Sequence, residues 1–555
     1  MDRAWLTWTL ILGLGPAARG AALDAALPFC AASPSVPEPS QVAAVTLDTG
    51  GVRRSFRYAF GPDGSVVSAA LVGMSHEYTC HLARENVPGH PELAQPELAQ
   101  RYCSFANVDG VLDAMAKDGL NVFRLYGVFN HGLGASLGER EPYPFEQPFV
   151  RVGSAWDLSR LEPVYLERLE SVVRAAYCRR LIVELTLLDP WDGEFTTSPF
   201  ANANTVGGRQ GLSQRADFLR PGNRAQAFQK AAVTAIVERL RRYPNVIWEV
   251  ANEPDLAPDG ISVAEIAAFE RQVIDDWIAP LDTAHLVMAN GHQEGVFGWR
   301  LPRVAVASAH YVELADGRVG ALEMLLRPEV AVERCRIAFG FNEGKALGSD
   351  PEIDAEDVRI EAWEFLFAGG SLFDAYSVDR GSVAARAASA ELGVLARLFR
   401  SRGDAFDDLA ALGPAVCGEQ GWCDRLPAAT AKAGDCAAGG AEIRTVALAS
   451  ADRSSLALYV RRARTVATPG APQGVFRRYD AAHCGPLGLE GFTFRAPTEG
   501  CWRLRWIEPR DGSTVAERRL RAEAGVVVAF PMLSEATDAA FFARREAGGC
   551  PGGSD

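Results

Sequence analysis

From about residue 54 to about residue 400, short β-branched or apolar runs alternate with longer stretches in which apolar side chains recur every three or four positions. The short runs read as buried strands and the longer stretches as helices with one apolar face. Eight runs qualify as strands: 65–73, 121–129, 180–188, 245–251, 284–290, 303–309, 336–341 and 370–376. Between the second and third, Leu161, Tyr165, Leu169, Val172 and Ala176 fall on one helical face; Phe228, Ala232, Ile236 and Leu240 do so between the third and fourth. Strand–helix alternation predicts a parallel sheet, and this many units predict a (β/α)₈ TIM barrel. An open doubly wound sheet is the alternative.

Beyond about residue 410 the pattern changes to runs that alternate at period two between Gly and Pro turns, such as EIRTVALAS, SLALYVRRA, CWRLRWIEP and GVVVAFP. This predicts a smaller all-β sandwich. The expected organisation is a signal peptide over 1–20, an N-terminal linker over 21–53, the catalytic barrel over 54–403, a Cys/Gly/Ala-rich junction over 404–440 and the sandwich over 441–555.

The signal peptide is read from the run AWLTWTLILGLG after Met1, Asp2 and Arg3, closed by Pro16 and the small-x-small stretch Ala18-Arg19-Gly20. That run falls short of the ~20 apolar residues that span a bilayer, and no later run is longer. The expected location is therefore secreted or periplasmic, without membrane insertion after cleavage; an uncleaved signal anchor is the alternative. Eleven cysteines fit an oxidising compartment, and Cys417, Cys423, Cys436, Cys484, Cys501 and Cys550 place the expected disulfides in the last part of the chain. The formal net charge of −14 has the wrong sign for nucleic acid or an anionic membrane surface. A composition of 48% hydrophobic and 23% charged residues excludes wholesale disorder. There is no C-x-x-C pair and no H-E-x-x-H, so neither a zinc site of recognisable spacing nor any cofactor is expected.

Candidate chemistry concentrates at two strand ends. Val246-Ile247-Trp248-Glu249-Val250-Ala251-Asn252-Glu253-Pro254 puts an amide and a carboxyl where a barrel strand gives way to its loop, the rim at which barrel function sits. Ile337-Ala338-Phe339-Gly340-Phe341-Asn342-Glu343-Gly344 is a second apolar strand ending on a glutamate. If these are the fourth and seventh strands, the two carboxyls face each other across the rim. That is the requirement for glycosidic cleavage, in which one carboxyl protonates the leaving oxygen and the other attacks or stabilises the anomeric carbon.

With Arg124 in NVFRLYGVF and His310-Tyr311 after RVAVASA, these segments resemble clan A glycoside hydrolases of the cellulase type, the family 5 group and its relatives. The resemblance covers roughly 54–395, and WEVANEP is its most specific part. It implies a retaining hydrolase acting on a carbohydrate substrate. Glu253 would be the acid/base, Glu343 the nucleophile and Asn252 the donor to the sugar 2-hydroxyl, with Arg124 and His310 shaping the pocket around the nucleophile. Tyr311 joins the expected substrate-binding residues, and Trp191 is a candidate stacking face, as are Phe129 and Trp299.

Some positions depart from the family pattern. The third strand ends on Leu187-Leu188-Asp189-Pro190-Trp191 where a His is usual, Tyr311 directly follows His310, and the eighth strand lacks its usual Trp, reading Phe373-Asp374-Ala375-Tyr376. These leave the identity of the sugar open. A non-catalytic sugar-binding barrel is the rival reading. A serine esterase is suggested by Gly134-Ala135-Ser136-Leu137-Gly138, but Pro142 and Pro144 bar the helix that a nucleophile elbow needs. His76, Glu77, His131, Asp189 and Asp192 are further polar residues near strand ends, without an assigned role.

Overall fold

The computed structural model describes residues 44–48, 54–59, 66–76, 108–129, 147–190, 195–256, 261–291, 300–310, 337–343, 354–377, 383–400, 441–466, 493–529 and 538–547, with a few shorter pieces. The signal segment, the Gly134–Gly138 motif, Cys417, Cys423, Cys436 and Cys484 lie outside them, as do Glu77, His131, Trp191, Asp192, Trp299 and Tyr311.

Eight parallel strands close into a barrel: β1 (Leu71–His76), β2 (Val122–Phe129), β3 (Ile182–Asp189), β4 (Val246–Ala251), β5 (Val287–Gly291), β6 (Val304–His310), β7 (Ala338–Glu343) and β8 (Leu372–Ser377). Helices α1 (Val108–Asp118), α2 (Pro163–Cys178), α3 (Gln226–Leu240), α4 (Val263–Gln272), α5 (Ala355–Phe367) and α6 (Val383–Arg400) accompany them. The fold is a (β/α)₈ TIM barrel followed by an all-β domain.

Two expectations are corrected. The apolar run 65–73 is not one strand. Val66–Ala69 completes a three-stranded antiparallel sheet with Thr46–Asp48 and Ser55–Ala59, and the barrel begins only at Leu71, whose N–H bonds the Ser371 carbonyl at 2.9 Å. A continuous apolar run carries no mark of where the chain leaves one sheet for another. Leu161 ends an antiparallel strand (Ala155–Leu161) and is not on the helix. The helix starts at Pro163, where a missing N–H costs nothing, with the Glu162 side chain accepting from the Val164 N–H as its cap. Tyr165, Leu169, Val172 and Ala176 are buried, as are Ala232, Ile236 and Leu240 of α3.

Side chains alternate across a strand, so every second residue enters the barrel. The lowest interior layer is apolar: Leu71, Val122, Ile182, Ile247, Met288, Val306, Ala338 and Leu372, sealed beneath by Val45, Phe56 and Tyr58 of the N-terminal sheet. Two residues further along each strand stand Gly73, Arg124, Glu184, Glu249, Asn290, Ser308, Gly340 and Asp374. This layer is charged where the one below is hydrocarbon. The glycines make the room, since a Cβ on Gly73 would lie 2.6 Å from the Val122 carbonyl oxygen and 2.9 Å from Asp374 Oδ1.

The C-terminal domain carries a sheet in the order β9 (Leu409–Ala411), β10 (Ala441–Ser450), β11 (Ser455–Val466), β14 (Asp538–Glu546), β12 (Gly500–Ile507), β13 (Thr514–Ala522). One face, with Leu456, Leu458, Trp502, Trp506 and Phe541, forms the domain's own core under Phe494. The other face joins the barrel's hydrophobic cluster through Val446, Leu448, Tyr459 and Phe542. Tyr459 stacks on Trp363 of α5 with ring centroids 5.5 Å apart. A disulfide joins Cys501 to Cys550, and Cys178 is also disulfide-bonded.

Candidate active site

Glu253 and Glu343 lie at opposite sides of the rim and meet over its centre. His310, at the end of β6, sits between them: Nδ1 is 2.7 Å from Glu253 Oε1 and 3.5 Å from Glu343 Oε2. One donor atom from each of the three falls within 4.8 Å of the others. His310 is fully buried, whereas Glu253 and Glu343 keep 5% and 4% exposure.

Arg124 organises the floor. Its Nη1 pairs with Glu343 Oε1 in a very short contact. Nη2 donates to Glu249 Oε1 at 2.7 Å and to Asn252 Oδ1 at 2.8 Å, and Nε donates to Glu249 Oε2 at 3.1 Å. Burial alone would weaken the guanidinium's hold on its proton, but Glu249, Tyr126, Glu343 and Glu184 outweigh it and hold Arg124 charged. The Tyr126 hydroxyl donates to Glu343 Oε1 at 3.3 Å, and its ring lies 4.8 Å below the guanidinium. Asn252 is held from both ends, because its Nδ2 donates to Asp189 Oδ1 at 3.0 Å. Asp189 thus occupies the place of the expected third-strand His and serves as the acceptor that orients Asn252.

Beneath this floor the acids outnumber the base. Burial, the adjacent Glu249 charge and a hydrogen bond shared with Glu249 push the Glu184 carboxyl well above the carboxylate range, against the pull of Arg124. Glu184 therefore holds a proton more tightly than an ordinary carboxyl. For His310, burial favours the neutral ring, but Glu343 and Glu253 overcome it and raise its pKa.

Glu253 has φ +39°, the left-handed region rare for a residue with a Cβ and further restricted by the following Pro254. Its N–H is held by Asn290 Oδ1 at 3.0 Å. Of the residues singled out in the sequence, the structure unites Arg124, Asn252, Glu253, His310 and Glu343. Glu184, Glu249, Asn290 and Asn342 were not anticipated. The signal was present, since a charged or amide side chain at inward parity in an otherwise apolar strand must be held by a partner inside the barrel.

Residues 85–308 match the family model described as cellulase (glycosyl hydrolase family 5). That segment of the barrel is similar to the cellulase family. A mannan endo-1,4-beta-mannosidase A of Podospora anserina is 29% identical over 193 residues, 35% of this chain; the chain spans 47% of that relative's length. A glycoside hydrolase family 5 structure from Bacteroides vulgatus superposes with a TM-score of 0.54 at 9% identity, covering 92% of this chain and 96% of that one. A second structure from the same organism gives 0.54 at 13% identity, with 91% and 83% coverage. At such identities these two structures establish the shared fold alone.

Proposed function

We propose that the protein is an exported retaining glycoside hydrolase of the cellulase-type barrel, with Glu343 as nucleophile and Glu253 as acid/base. Its substrate class is a β-linked oligo- or polysaccharide, with β-mannan the first candidate because the Podospora anserina relative is a mannan endo-1,4-beta-mannosidase. The observation that carries the reading is the approach of the Glu253 and Glu343 carboxyls to within 4.8 Å. So close an approach of one oxygen from each supports the ~5–5.5 Å spacing of retaining sites over the ~6.5–9.5 Å that inverting sites need for a water. The signal-like N-terminus supports export, and the change of pattern near residue 410 supports a barrel over 54–403 and a sandwich over 441–555.

In the first step a Glu343 oxygen attacks the anomeric carbon, the glycosidic C–O bond breaks, and the Glu253 proton passes to the departing oxygen. Oε1 of Glu343 takes the hydrogen bonds from Arg124 and Tyr126, so Oε2 is the attacking oxygen. In the second step Glu253, now a carboxylate, takes a proton from water, whose oxygen attacks the same carbon and releases Glu343. Two inversions give net retention. Asn252 uses one Nδ2 hydrogen on Asp189, and the other is read as the donor to the sugar 2-hydroxyl.

Hydrolysis should be measured on β-mannans, β-glucans and aryl glycosides, then repeated with two variants. Glu343→Gly should lose ~10⁴-fold or more even on activated aryl glycosides, and added azide should restore a glycosyl product of inverted configuration. Glu253→Ala should slow poor leaving groups by ~10²–10⁴-fold and spare good ones, with azide giving a retained product. Exchanged phenotypes would reverse the two roles. Glycan binding without turnover on any of these substrates would leave the non-catalytic barrel standing instead.

A further inference from the structure

We propose that Asn290 is a positioning residue that fixes His310 as the neutral tautomer with its proton on Nδ1, and that also pins the left-handed backbone of Glu253. The assignment rests on hydrogen-bond geometry; only the kinetic arm of its test rests on the hydrolase reading.

The argument starts from a group that cannot change its role. The Glu253 backbone N–H can only donate, so the atom of Asn290 that receives it at 3.0 Å must be the amide oxygen. Asn290 Nδ2 then points at His310 Nε2, 2.5 Å away, and at Asn342 Oδ1, 3.0 Å away. Asn342 is oriented in turn by Asn290, which requires its oxygen there. Its Nδ2 lies on Glu184 Oε1 in a very short contact and 3.3 Å from Glu249 Oε2, and its Oδ1 takes the Ser308 hydroxyl at 2.5 Å. The Glu253 N–H alone imposes this polarity, the contacts of Asn342 are consistent with it, and both Asn290 N–H bonds are committed. His310 Nε2 is thus an acceptor. A neutral ring must carry its hydrogen on Nδ1, where it donates to Glu253 Oε1 at 2.7 Å.

The charged groups around His310 are Glu253 from the end of β4, Glu343 from β7 and Arg124 from β2, with Glu184 of β3 and Glu249 of β4 reached through Asn342. The two rim carboxylates pull the ring towards imidazolium. A second proton on Nε2 would instead meet an Asn290 N–H head-on, and turning the amide over would set its NH₂ against the Glu253 N–H. The consequence is chemical. His310 stays a donor to the acid/base and does not compete with it for the proton that must reach the leaving oxygen.

The first test is spectroscopic. In protein with ¹⁵N-labelled histidine at about pH 7, the His310 ring, assigned by its loss in His310→Gln, should show a protonated Nδ1 and an unprotonated Nε2. Asn290→Asp keeps an acceptor for the Glu253 N–H but turns a carboxylate oxygen to Nε2, so the ring should become doubly protonated. The basic limb of its pH–rate profile should then move down by roughly 1–3 pH units, as for a new positive charge beside the acid. Asn290→Ala should lower kcat by up to ~10²-fold with KM little changed, because Glu253 loses its anchor; should that variant not fold, Asn290→Asp still decides. A wild-type ring that is imidazolium or carries its proton on Nε2 overturns the proposal, as does a tautomer unchanged in Asn290→Asp. The expected tautomer in a protein that cleaves no glycan would sink the hydrolase reading and leave this assignment intact.

Discussion

Two clusters of buried arginine and carboxylate lie in this molecule, one at the barrel rim and one where the barrel meets the C-terminal sheet. At the interface Arg359 of α5 forms a two-point pair with Asp538 at 2.9 and 3.1 Å, and Arg461 of β11 does the same with Glu364 at 2.6 and 3.1 Å. The Tyr459 hydroxyl adds a 2.7 Å bond to Asp538, and Glu391, which reaches Arg359 at 2.6 Å, keeps contact with solvent. Among the described residues the most deeply buried charges balance there, Arg359 and Arg461 against Asp538 and Glu364, while Glu356 and Glu391 pair with Arg359 from the solvent side. At the rim, Arg124 is the lone permanent cation among the described residues facing Glu184, Glu249, Glu343 and, through His310, Glu253. Charges that cancel within one cluster can be buried without retaining a proton, which suits a joint. A surplus of acids forces protons to be held and shared, which suits chemistry that moves them. The imbalance, more than the burial, separates the site from the seam.

The comparison is most directly broken by taking away each arginine. Arg124→Met should reduce turnover by ~10³-fold through loss of the group that holds Glu343, and pairing it with Glu249→Leu should not restore activity. Arg359→Met should leave turnover per folded molecule unchanged and cost ~3–5 kcal/mol in denaturant unfolding, because Asp538 stays buried and unpaired. The double variant Arg359→Met/Asp538→Leu should recover most of that stability. If Arg359→Met lowers turnover as much as Arg124→Met, the two clusters are not different in kind.

A smaller effect sharpens the same point with a buried acid that has no base at all. Glu270 of α4 is fully buried, neither of its carboxyl oxygens finds a hydrogen-bond partner among the described residues, and burial, aided by Asp255, pushes it up to about 8. A folded-state value above the unfolded one means that the folded protein holds the proton more tightly. Stability should therefore decline as pH rises from ~4.3, the unfolded glutamate value, to about 8, with a slope of up to ~1.4 kcal/mol per pH unit, and level off above. Glu270→Gln should flatten that decline in unfolding experiments across this range. An unchanged slope would mean that Glu270 does not titrate there.

The alternation of strands and helices was legible in the chain because period carries it, although an open doubly wound sheet remained the alternative until closure was seen. Short, largely apolar runs such as 121–129 and 245–251 suit strands buried on both faces, and the spacing of Tyr165, Leu169, Val172 and Ala176 suits a helix with one face inward. The WEVANEP segment and the strand ending in Glu343 were legible for the same reason, since a strand's end fixes where its next residue stands. What the sequence could not decide is which inward residue meets which. Glu249 and Glu184 occupy inward positions of neighbouring strands, but their common partner, Arg124, lies 125 residues from Glu249 along the chain. Closure of the ring determined that Asn290 would touch both Glu253 and His310, and docking of the C-terminal sheet determined that Arg359 would find Asp538, 179 residues away. Local periodicity is a property of neighbouring residues, so the chain itself states it. Hydrogen bonds between distant strands depend on register and closure, so only the folded barrel decides which buried acid faces which base.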